Sequence, residues 1–166
     1  MTKLLTGAQI KAIVTPQRSI DVAYFDNNTE WAQEYDLKPV LTEALFDDFL
    51  ALYAVDPLFP TNPTYKTMYD KYIQYVVAYG CAFYSLKKDI RTKTDNQGQM
   101  QNSTAHSSSA ASVEAKGVLM QYKERNYYYL ECLATFLFNN QSNTDLALFV
   151  EEDAVLCPEF RDFLPQ

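Results

Sequence analysis

The stretch that decides the fold runs from residue 65 to residue 90 and reads YKTMYDKYIQYVVAYGCAFYSLKKDI. Large apolar side chains recur in it at alternating intervals of four and three residues: Tyr65, Tyr69, Tyr72, Val76, Tyr79, Phe83, Leu86 and Ile90. A period of 3.5 residues sustained over more than three heptads predicts one long helix with a narrow packing face. Gly80 lies beside that face, where we expect a neighbouring backbone to approach closely.

A second long helix is predicted from about Val113 to Asn139, because apolar residues keep the same three- and four-residue spacing there. The segment that joins the two helices, residues 91–112, has Met100 as its one large apolar side chain. Such a segment cannot offset its ordering entropy by burial, and Asp95 to Gly98 is a turn signal within it. We therefore predict a polar loop or hairpin over residues 91–112 that becomes ordered against a partner.

Shorter helices are expected before the first long one. Thr6 and Gln9 have the spacing of a capping box, and Asn28 or Thr29 is expected to cap a second helix. Asn62 followed by Pro63 predicts the start of the long helix. The fold class predicted is mainly α: a helical bundle over residues 1–140, followed by an acidic and hydrophobic C-terminal tail over residues 141–166. The tail either docks on its own bundle or reaches a neighbouring copy.

Composition narrows the class of protein. The chain has 166 residues, of which 48% are hydrophobic and 21% charged, and only four are glycine. These values are typical of one globular domain with a sizeable core. No apolar stretch is long enough to cross a membrane or to act as a signal peptide. The three cysteines are far apart, which favours free thiols over a disulfide framework or a zinc site.

The net charge of −7 is unevenly distributed. Residues 41–60 carry four acidic side chains and no basic one, whereas residues 61–100 carry six basic against three acidic. An acidic chain is a poor ligand for nucleic acid, since that binding depends on neutralising phosphates. A basic band between acidic segments suits head-to-tail packing of identical subunits, although a solvated charge pattern would explain it equally well.

Catalytic signatures are absent from the sequence. The single histidine, His106, falls in the predicted polar loop with no acidic residue or cysteine in the nine positions before it. The acidic pairs and triplets are expected to be solvated faces, and no phosphate loop, dinucleotide fingerprint or metalloprotease motif occurs. We therefore expect a protein that is not an enzyme and needs no cofactor and no metal.

Residues that are candidates for contacts with a partner or another subunit combine charge with aromatic character. The basic cluster of Lys87, Lys88, Arg91 and Lys93 can complement the dipole at the end of its own helix, or it can meet an acidic neighbour or a DNA backbone. A protein partner is favoured because the whole chain is acidic. The three consecutive tyrosines at 127–129 cannot all face one core, so at least one is expected to contact another subunit. The full set of candidates is Lys87, Lys88, Arg91, Lys93, Asp95, Asn96, Gly98, Tyr127, Tyr128, Glu151, Glu152, Asp153, Phe160 and Phe163.

A motif near the N-terminus resembles that of a known class of proteins. Residues 29–50 read TEWAQEYDLKPVLTEALFDDFL. The elements that match are Gln33-Glu34, Leu37, Pro39-Val40-Leu41, Leu45-Phe46 and Phe49-Leu50. With the long aromatic helix, the Asp95–Gly98 turn and the second long helix, they resemble the head–tail connector (adaptor) proteins of tailed phages, most of all those of Bacteroides-infecting and crAss-like phages.

The resemblance covers roughly residues 4–140. Thr42 stands where those proteins often have glycine, and the acidic C-terminal extension is longer than a minimal adaptor needs. The resemblance implies a structural virion protein, made in the bacterial host cytoplasm, that forms a ring of twelve copies in the neck. Its partners would be itself, the portal protein and the next neck or tail protein, with genomic DNA passing through the lumen without specific binding. The alternative is a small helical adaptor or regulatory module outside virions.

Overall fold

The helices of the chain pack around one central helix. The structure is a computed structural model that describes residues 2–14, 22–59, 61–97 and 105–149, with the backbone alone at residue 24 and over residues 88–97 and 105–115. It is mainly α-helical, as the sequence predicts, and no strand occurs in these ranges. In chain order the elements are α1 (Gly7–Val14), α2 (Val22–Asp26), α3 (Thr29–Ala32), a first π-turn (Gln33–Leu37), α4 (Lys38–Leu41), α5 (Glu43–Val55), α6 (Pro63–Met68), a second π-turn (Tyr69–Ile73), α7 (Gln74–Gln97), α8 (Ala105–Asn139) and a 3₁₀ turn (Thr144–Leu146).

The two long helices, α7 and α8, form an antiparallel pair. The ring of Tyr72, in the turn just before α7, lies 5.5 Å from that of Phe136, and the ring of Tyr79 lies 6.4 Å from that of Tyr122. Residue numbers therefore rise along one helix as they fall along the other. The prediction of two long helices is confirmed.

The core along α7 is wider than the narrow face that the spacing predicts. All seven residues from Val76 to Ala82 are buried, which is nearly two full turns of helix. The reason is that α1 and α3 cover the side of α7 that faces away from α8. A helix that is covered from several sides buries residues outside its heptad positions as well.

The predicted loop over residues 91–112 is corrected by the structure. Helix α7 continues to Gln97 and α8 begins at Ala105, so the backbone is helical over much of the segment. Extending a helix that is already packed costs far less than nucleating one, and the segment contains no proline and several alanines. Residues 98–104 lie outside the described residues.

The three helix starts predicted from capping motifs are confirmed, and in two of them the side-chain capping bonds form. The backbone N–H of Thr6 donates to Gln9 Oε1 at 2.8 Å, and the N–H of Gln9 donates to Thr6 Oγ1 at 3.3 Å. Asn62 Oδ1 accepts from the N–H of Tyr65 at 2.8 Å. Asn28 stands at the N-cap position of α3, as predicted, but its side chain makes no capping bond. Its Nδ2 donates instead to Ser85 Oγ on α7 at 3.1 Å, so this side chain joins two helices.

Both π-turns hold the backbone of Leu4. From the first π-turn, Gln33 Oε1 accepts from the N–H of Leu4 at 2.9 Å. From the second, the Tyr69 hydroxyl donates to the Leu4 carbonyl at 3.0 Å. The Tyr53 hydroxyl, from α5, donates to the same oxygen at 2.7 Å. Since a buried backbone group needs a hydrogen-bond partner, these three side chains anchor the N-terminal segment inside the bundle. The Gln33 of the sequence motif is thus part of the structural core.

The first residues of the predicted tail pack on the bundle. Thr64 Oγ1 donates to Asp145 Oδ2 at 2.6 Å, and Leu146 is buried. The rings of Phe138 and Phe149 meet edge to face at 5.8 Å. Residues 141–149 therefore dock on their own chain, and residues 150–166 lie outside the described residues.

Gly80 is where α7 comes closest to its neighbours. A β-carbon at this position would overlap Asp36 Oδ2, lie 2.9 Å from Asn126 Nδ2 and lie 3.2 Å from the β-carbon of Ala32. The expectation of a close approach is confirmed, but side-chain atoms rather than backbone atoms make it. Glycine here allows the first π-turn, α7 and α8 to meet.

Replacing Gly80 with alanine is expected to lower the free energy of unfolding by about 1–3 kcal/mol, because the added methyl group displaces Asp36 and Asn126. Gly117 in α8 is the matched control, since nothing lies within 4 Å of a β-carbon built there. Gly117→Ala should stabilise the chain by roughly 0.5–1 kcal/mol through helix propensity. Urea unfolding of both variants checks the pair, and equal effects of the two substitutions would contradict the assignment.

Thr42, between α4 and α5, adopts a backbone conformation that favours glycine. Its φ is 70° and its ψ 158°, a combination that costs a residue with a side chain of the order of 1–3 kcal/mol. It is also the position where the phage adaptors that the sequence resembles often have glycine. Thr42 is buried, and its hydroxyl lies 3.5 Å from the carbonyl oxygen of Leu148.

We expect Thr42→Gly to be more stable than Thr42→Ala by about 1 kcal/mol, because both lose the hydroxyl and only glycine relieves the backbone strain. In the interior of a helix the order of stability is the opposite, with alanine more stable than glycine. Thermal unfolding of the two variants measures the difference, and an alanine variant as stable as the glycine variant would show that the backbone is unstrained.

Candidate functional site: an exposed aromatic surface

Four aromatic side chains lie together where α3, the first π-turn, α7 and α8 meet. The ring of Trp31 lies 5.5 Å from that of Tyr35 and 6.4 Å from that of Tyr84. Tyr127 of α8 lies close enough to Tyr84 to help raise the pKa of the Tyr84 hydroxyl. We call Trp31, Tyr35, Tyr84 and Tyr127 the aromatic platform. Trp31 is 55% exposed and Tyr35 is 64% exposed, so the platform presents two large rings to solvent.

A set of polar hydrogen bonds lies beneath the platform. The Tyr84 hydroxyl donates to Asp36 Oδ1 at 2.7 Å, and Asn126 Nδ2 lies 3.3 Å from Asp36 Oδ2. Asn126 Nδ2 also donates to the carbonyl of Val76 at 2.9 Å. We call Asp36, Tyr84 and Asn126, which meet over Gly80, the polar joint. It connects the first π-turn to both long helices and so fixes the position of the platform.

The carboxyl group of Asp36 is the unusual member of the joint. Burial raises its pKa from the usual 3.8 to about 6, although the hydrogen bonds from Tyr84 and Asn126 act in the opposite direction. Asp36 is therefore held in place at the cost of burying a charge at neutral pH. Its partners are a phenol and an amide, which suits a structural role.

The Asp36 carboxyl should make the stability of the chain depend on pH. Because its folded pKa lies above its unfolded pKa, the native state binds the extra proton, and its contribution to stability falls as pH rises from about 4 to about 6. The full change is at most about 3 kcal/mol for a shift of this size. Asp36→Asn removes the titration, so the wild-type free energy of unfolding minus that of the variant should fall over this range.

The measurement is urea unfolding of both proteins at closely spaced pH values. Tyr84→Phe serves as the matched variant, because it removes a donor that lowers the Asp36 pKa and should move the transition to higher pH. A difference between wild type and Asp36→Asn that does not vary with pH would rule out this role for Asp36.

A second apolar surface lies beside α6, at the end of α5 and in the turn that follows it. Val55, the last residue of α5, is 85% exposed, and Leu58, in the turn after it, is 72% exposed. Leu52 lies just before Val55 on the same helix. We call Leu52, Val55 and Leu58 the aliphatic corner. Phe59, which follows it, is buried against the rings of Tyr65 and Tyr69 at 6.1 Å each. The corner is therefore fixed beside Tyr65, whereas the platform is fixed at Tyr84, about 28 Å further along the helix at 1.5 Å per residue.

The candidate interface residues predicted from the sequence are partly brought together. Lys87 is exposed on α7, and its Nζ lies 5.6 Å from the centre of the Phe83 ring, next to the platform. Lys88, Arg91, Lys93, Asp95 and Asn96 follow on the helical backbone of α7. Gly98, Glu151, Glu152, Asp153, Phe160 and Phe163 lie outside the described residues. His106 lies in the first turn of α8, so its predicted loop position is wrong.

The three consecutive tyrosines of α8 have different surroundings. Tyr129 stacks on Tyr75 at 4.6 Å in the interface between the long helices. Tyr127 is half-buried in the platform, with Lys123 Nζ 5.0 Å from its ring centre. Tyr128 is 60% exposed. The prediction that all three cannot face one core is confirmed, and a contact of Tyr128 with another subunit stays a prediction.

Tyr128 also lines a surface groove of about 440 Å³. Its other lining residues come mainly from α8: Tyr72, Glu131, Cys132, Thr135, Phe136, Asn139 and Asn140. Cys132 is a half-buried free thiol, and Cys81 is a fully buried one whose pKa burial raises to about 12. A thiol with so high a pKa is inert at neutral pH.

Among the side chains that the structure describes, no group of three or more from His, Cys, Asp and Glu could hold a metal ion. None of the helices described is long and apolar enough to span a membrane.

Comparison with known proteins gives one match. A family model covers residues 37–146, from the last residue of the first π-turn to the end of the 3₁₀ turn. The chain belongs to DUF6712. This is a family of unknown function. No curated protein and no solved structure matches the chain. The DUF6712 region contains Tyr84, Tyr127 and the whole aliphatic corner, whereas Trp31 and Tyr35 precede it.

The exposure of Trp31 and Tyr35 was not expected from the sequence, where their spacing indicates only a helix. The sequence nevertheless contains a signal for this exposure. Glu30 and Glu34 directly precede Trp31 and Tyr35, and charged residues four positions apart mark a solvated side of a helix. Ala32 and Leu37, which are fully buried, define the opposite side.

Proposed function

We propose that this chain is a structural virion protein that forms a neck ring and joins the portal to the tail of a tailed phage. The proposal combines the sequence resemblance to head–tail connector proteins with the geometry of the two apolar surfaces. The protein would be made in the cytoplasm of the bacterial host and act in the virion, in the neck between capsid and tail. The role requires assembly alone, with no catalytic step and no cofactor.

The observation that carries the proposal is that two different apolar surfaces lie well apart along one continuous helical segment, one beside Tyr65 of α6 and the other at Tyr84 of α7. A ring of identical subunits is built from heterologous contacts, in which one surface of each copy meets a different surface of the next. The aromatic platform and the aliphatic corner are two such surfaces. The buried segment of α7 between them keeps their separation constant, which a closed ring needs.

The residues exposed in the platform are of the kind that dominate interface energies. Trp and Tyr are enriched at the centres of protein interfaces, where one or two of them supply most of the binding energy. Large aromatic rings left in solvent gain the most when a partner covers them, by roughly 25 cal/mol per Å² of apolar surface. Twelve copies in a ring and passage of DNA through the lumen without specific binding are carried over from the resemblance as part of this proposal.

A small helical adaptor that binds one partner outside virions is the second candidate. It would use the aromatic platform alone, so the aliphatic corner would have no role in it. The two candidates therefore differ in whether one surface or both surfaces are covered in the functional assembly.

The test is to co-express the chain with the portal protein encoded in the same genome and to image the purified complexes by negative-stain electron microscopy. Particles purified from infected cells are analysed in parallel by mass spectrometry. We expect rings of the chain stacked on portal rings and the chain present in particles in a copy number that matches the ring. A chain that is absent from purified particles and remains monomeric beside the portal protein would contradict the proposal and favour the adaptor.

A further inference from the structure

We propose that the surface groove along α8 is the docking site of residues 150–166 of the same chain. These residues lie outside the described part of the structure, and the chain reaches them directly after Phe149. The inference concerns the free chain and does not depend on the proposed ring function. Three observations carry it: the lining of the groove, the position of Phe149 and the spacing of the apolar residues that follow.

The groove is lined by groups that gain from being covered. It has a volume of about 440 Å³ and runs along α8 from Tyr128 to Asn140, which is about 18 Å at 1.5 Å per residue. Tyr128 is 60% exposed, and the half-buried rings of Tyr72 and Phe136 lie 5.5 Å apart. Cys132 adds a half-buried thiol. An occupant that covers these groups removes apolar surface from water, which favours an apolar segment.

The described part of the chain ends beside this groove. The ring of Phe149 meets that of Phe138 at 5.8 Å, and the two residues after Phe138 line the groove. From Phe149 the chain can span roughly 23 Å before it reaches residue 156, at about 3.3 Å per residue. Cys132, within the groove, lies only about 9 Å back along α8 from Phe138. Residues from 156 onward can therefore enter the groove.

These residues have the apolar spacing of a helix face. Leu156, Phe160, Phe163 and Leu164 fall at positions i, i+4, i+7 and i+8. Side chains with this spacing share one face of a helix, and insertion of such a face is a common way to fill an apolar groove. The face would be about 12 Å long, which fits within the length of the groove.

Charge does not favour this occupant, so the apolar residues must hold it. Residues 150–166 carry five acidic side chains and one basic, and Glu131 lines the groove. Salt screens repulsion between exposed charges. The docked state should therefore become more populated as the salt concentration rises.

The covalent connection favours the segment of the same chain over that of another copy. A segment attached beside its site has an effective concentration in the millimolar range. In dilute solution a second copy competes at a much lower concentration. The groove of the free chain is therefore closed to other partners by residues 150–166.

Two cysteines of the chain report the docking. Cys157 directly follows Leu156, and Cys132 lines the groove. Cys81 stays unreactive because it is fully buried and burial raises its pKa to about 12. The full chain, at about 1 μM to keep copies apart, is equilibrated with reduced and oxidised glutathione. Each Cys132–Cys157 disulfide that forms converts one glutathione disulfide into two reduced glutathione molecules, and mass spectrometry measures its amount.

Wild type should form this disulfide within a monomer. Phe160→Ser with Phe163→Ser keeps the connection and both thiols, and it should lower the equilibrium constant for the disulfide at least about tenfold, because burial of one Phe side chain contributes that factor. The matched control is Glu159→Ser with Arg161→Ser. It keeps the net charge and the apolar spacing, so it should match wild type. Thermal unfolding verifies that the bundle is intact in each variant.

A second measurement uses the accessibility of Cys132 alone. In a Cys157→Ser chain, a docked segment covers Cys132 and slows its reaction with a maleimide. Adding Phe160→Ser and Phe163→Ser should raise the reaction rate about tenfold, for the same loss of buried apolar surface. The rate before this change should not depend on the concentration of the chain.

The other outcomes contradict the inference. Disulfide-linked dimers, or protection of Cys132 that grows with chain concentration, would show that the segment occupies the groove of another copy. A Phe160→Ser, Phe163→Ser chain that equals wild type in both measurements would show that these residues do not dock in the groove.

Discussion

The contact over Gly80 is the constraint on which the arrangement of this protein depends. Three helical segments converge at this point, and only a residue without a side chain leaves room for Asp36 and Asn126 to meet there. The carboxyl group bridges the first π-turn to α7 and α8 at the cost of burying a charge, as its raised pKa shows. Every buried side-chain nitrogen or oxygen in the described part of the chain has a hydrogen-bond partner, so the joint is fully satisfied. Such a joint holds the exposed rings above it in a fixed orientation.

Much of the fold follows from the sequence because it depends on local chemistry. The heptad spacing of residues 65–90 is strong enough to predict the central helix, and the spacing of Thr6 and Gln9 predicts a cap whose two hydrogen bonds both form. Asn62 before Pro63 marks a helix start for the same reason. In each case the residues that determine the structure lie within a few positions of one another.

The remainder depends on contacts between distant parts of the chain. Asn28 precedes α3 as a capping residue would, but its side-chain amide donates to Ser85 across the bundle and makes no capping bond. Helix α7 ends later and helix α8 begins earlier than the sequence predicts. The reason is that a packed helix can extend into a polar segment that would not nucleate a helix by itself. Trp31 and Tyr35 have the spacing of a packed pair, and only the tertiary arrangement leaves them in solvent. The residues that the proposed assembly uses are therefore the ones that the sequence identifies least well.

The central claim is that a rigid bundle presents two different apolar surfaces that partner chains cover in a neck ring. The most direct measurement is a cryo-electron microscopy reconstruction of the neck in particles purified from infected cells, at a resolution that traces side chains. The account predicts a closed ring of this chain in which Trp31 and Val55 of each copy are both covered by neighbouring chains. A neck built without this chain, or a ring in which both surfaces face solvent, would contradict it.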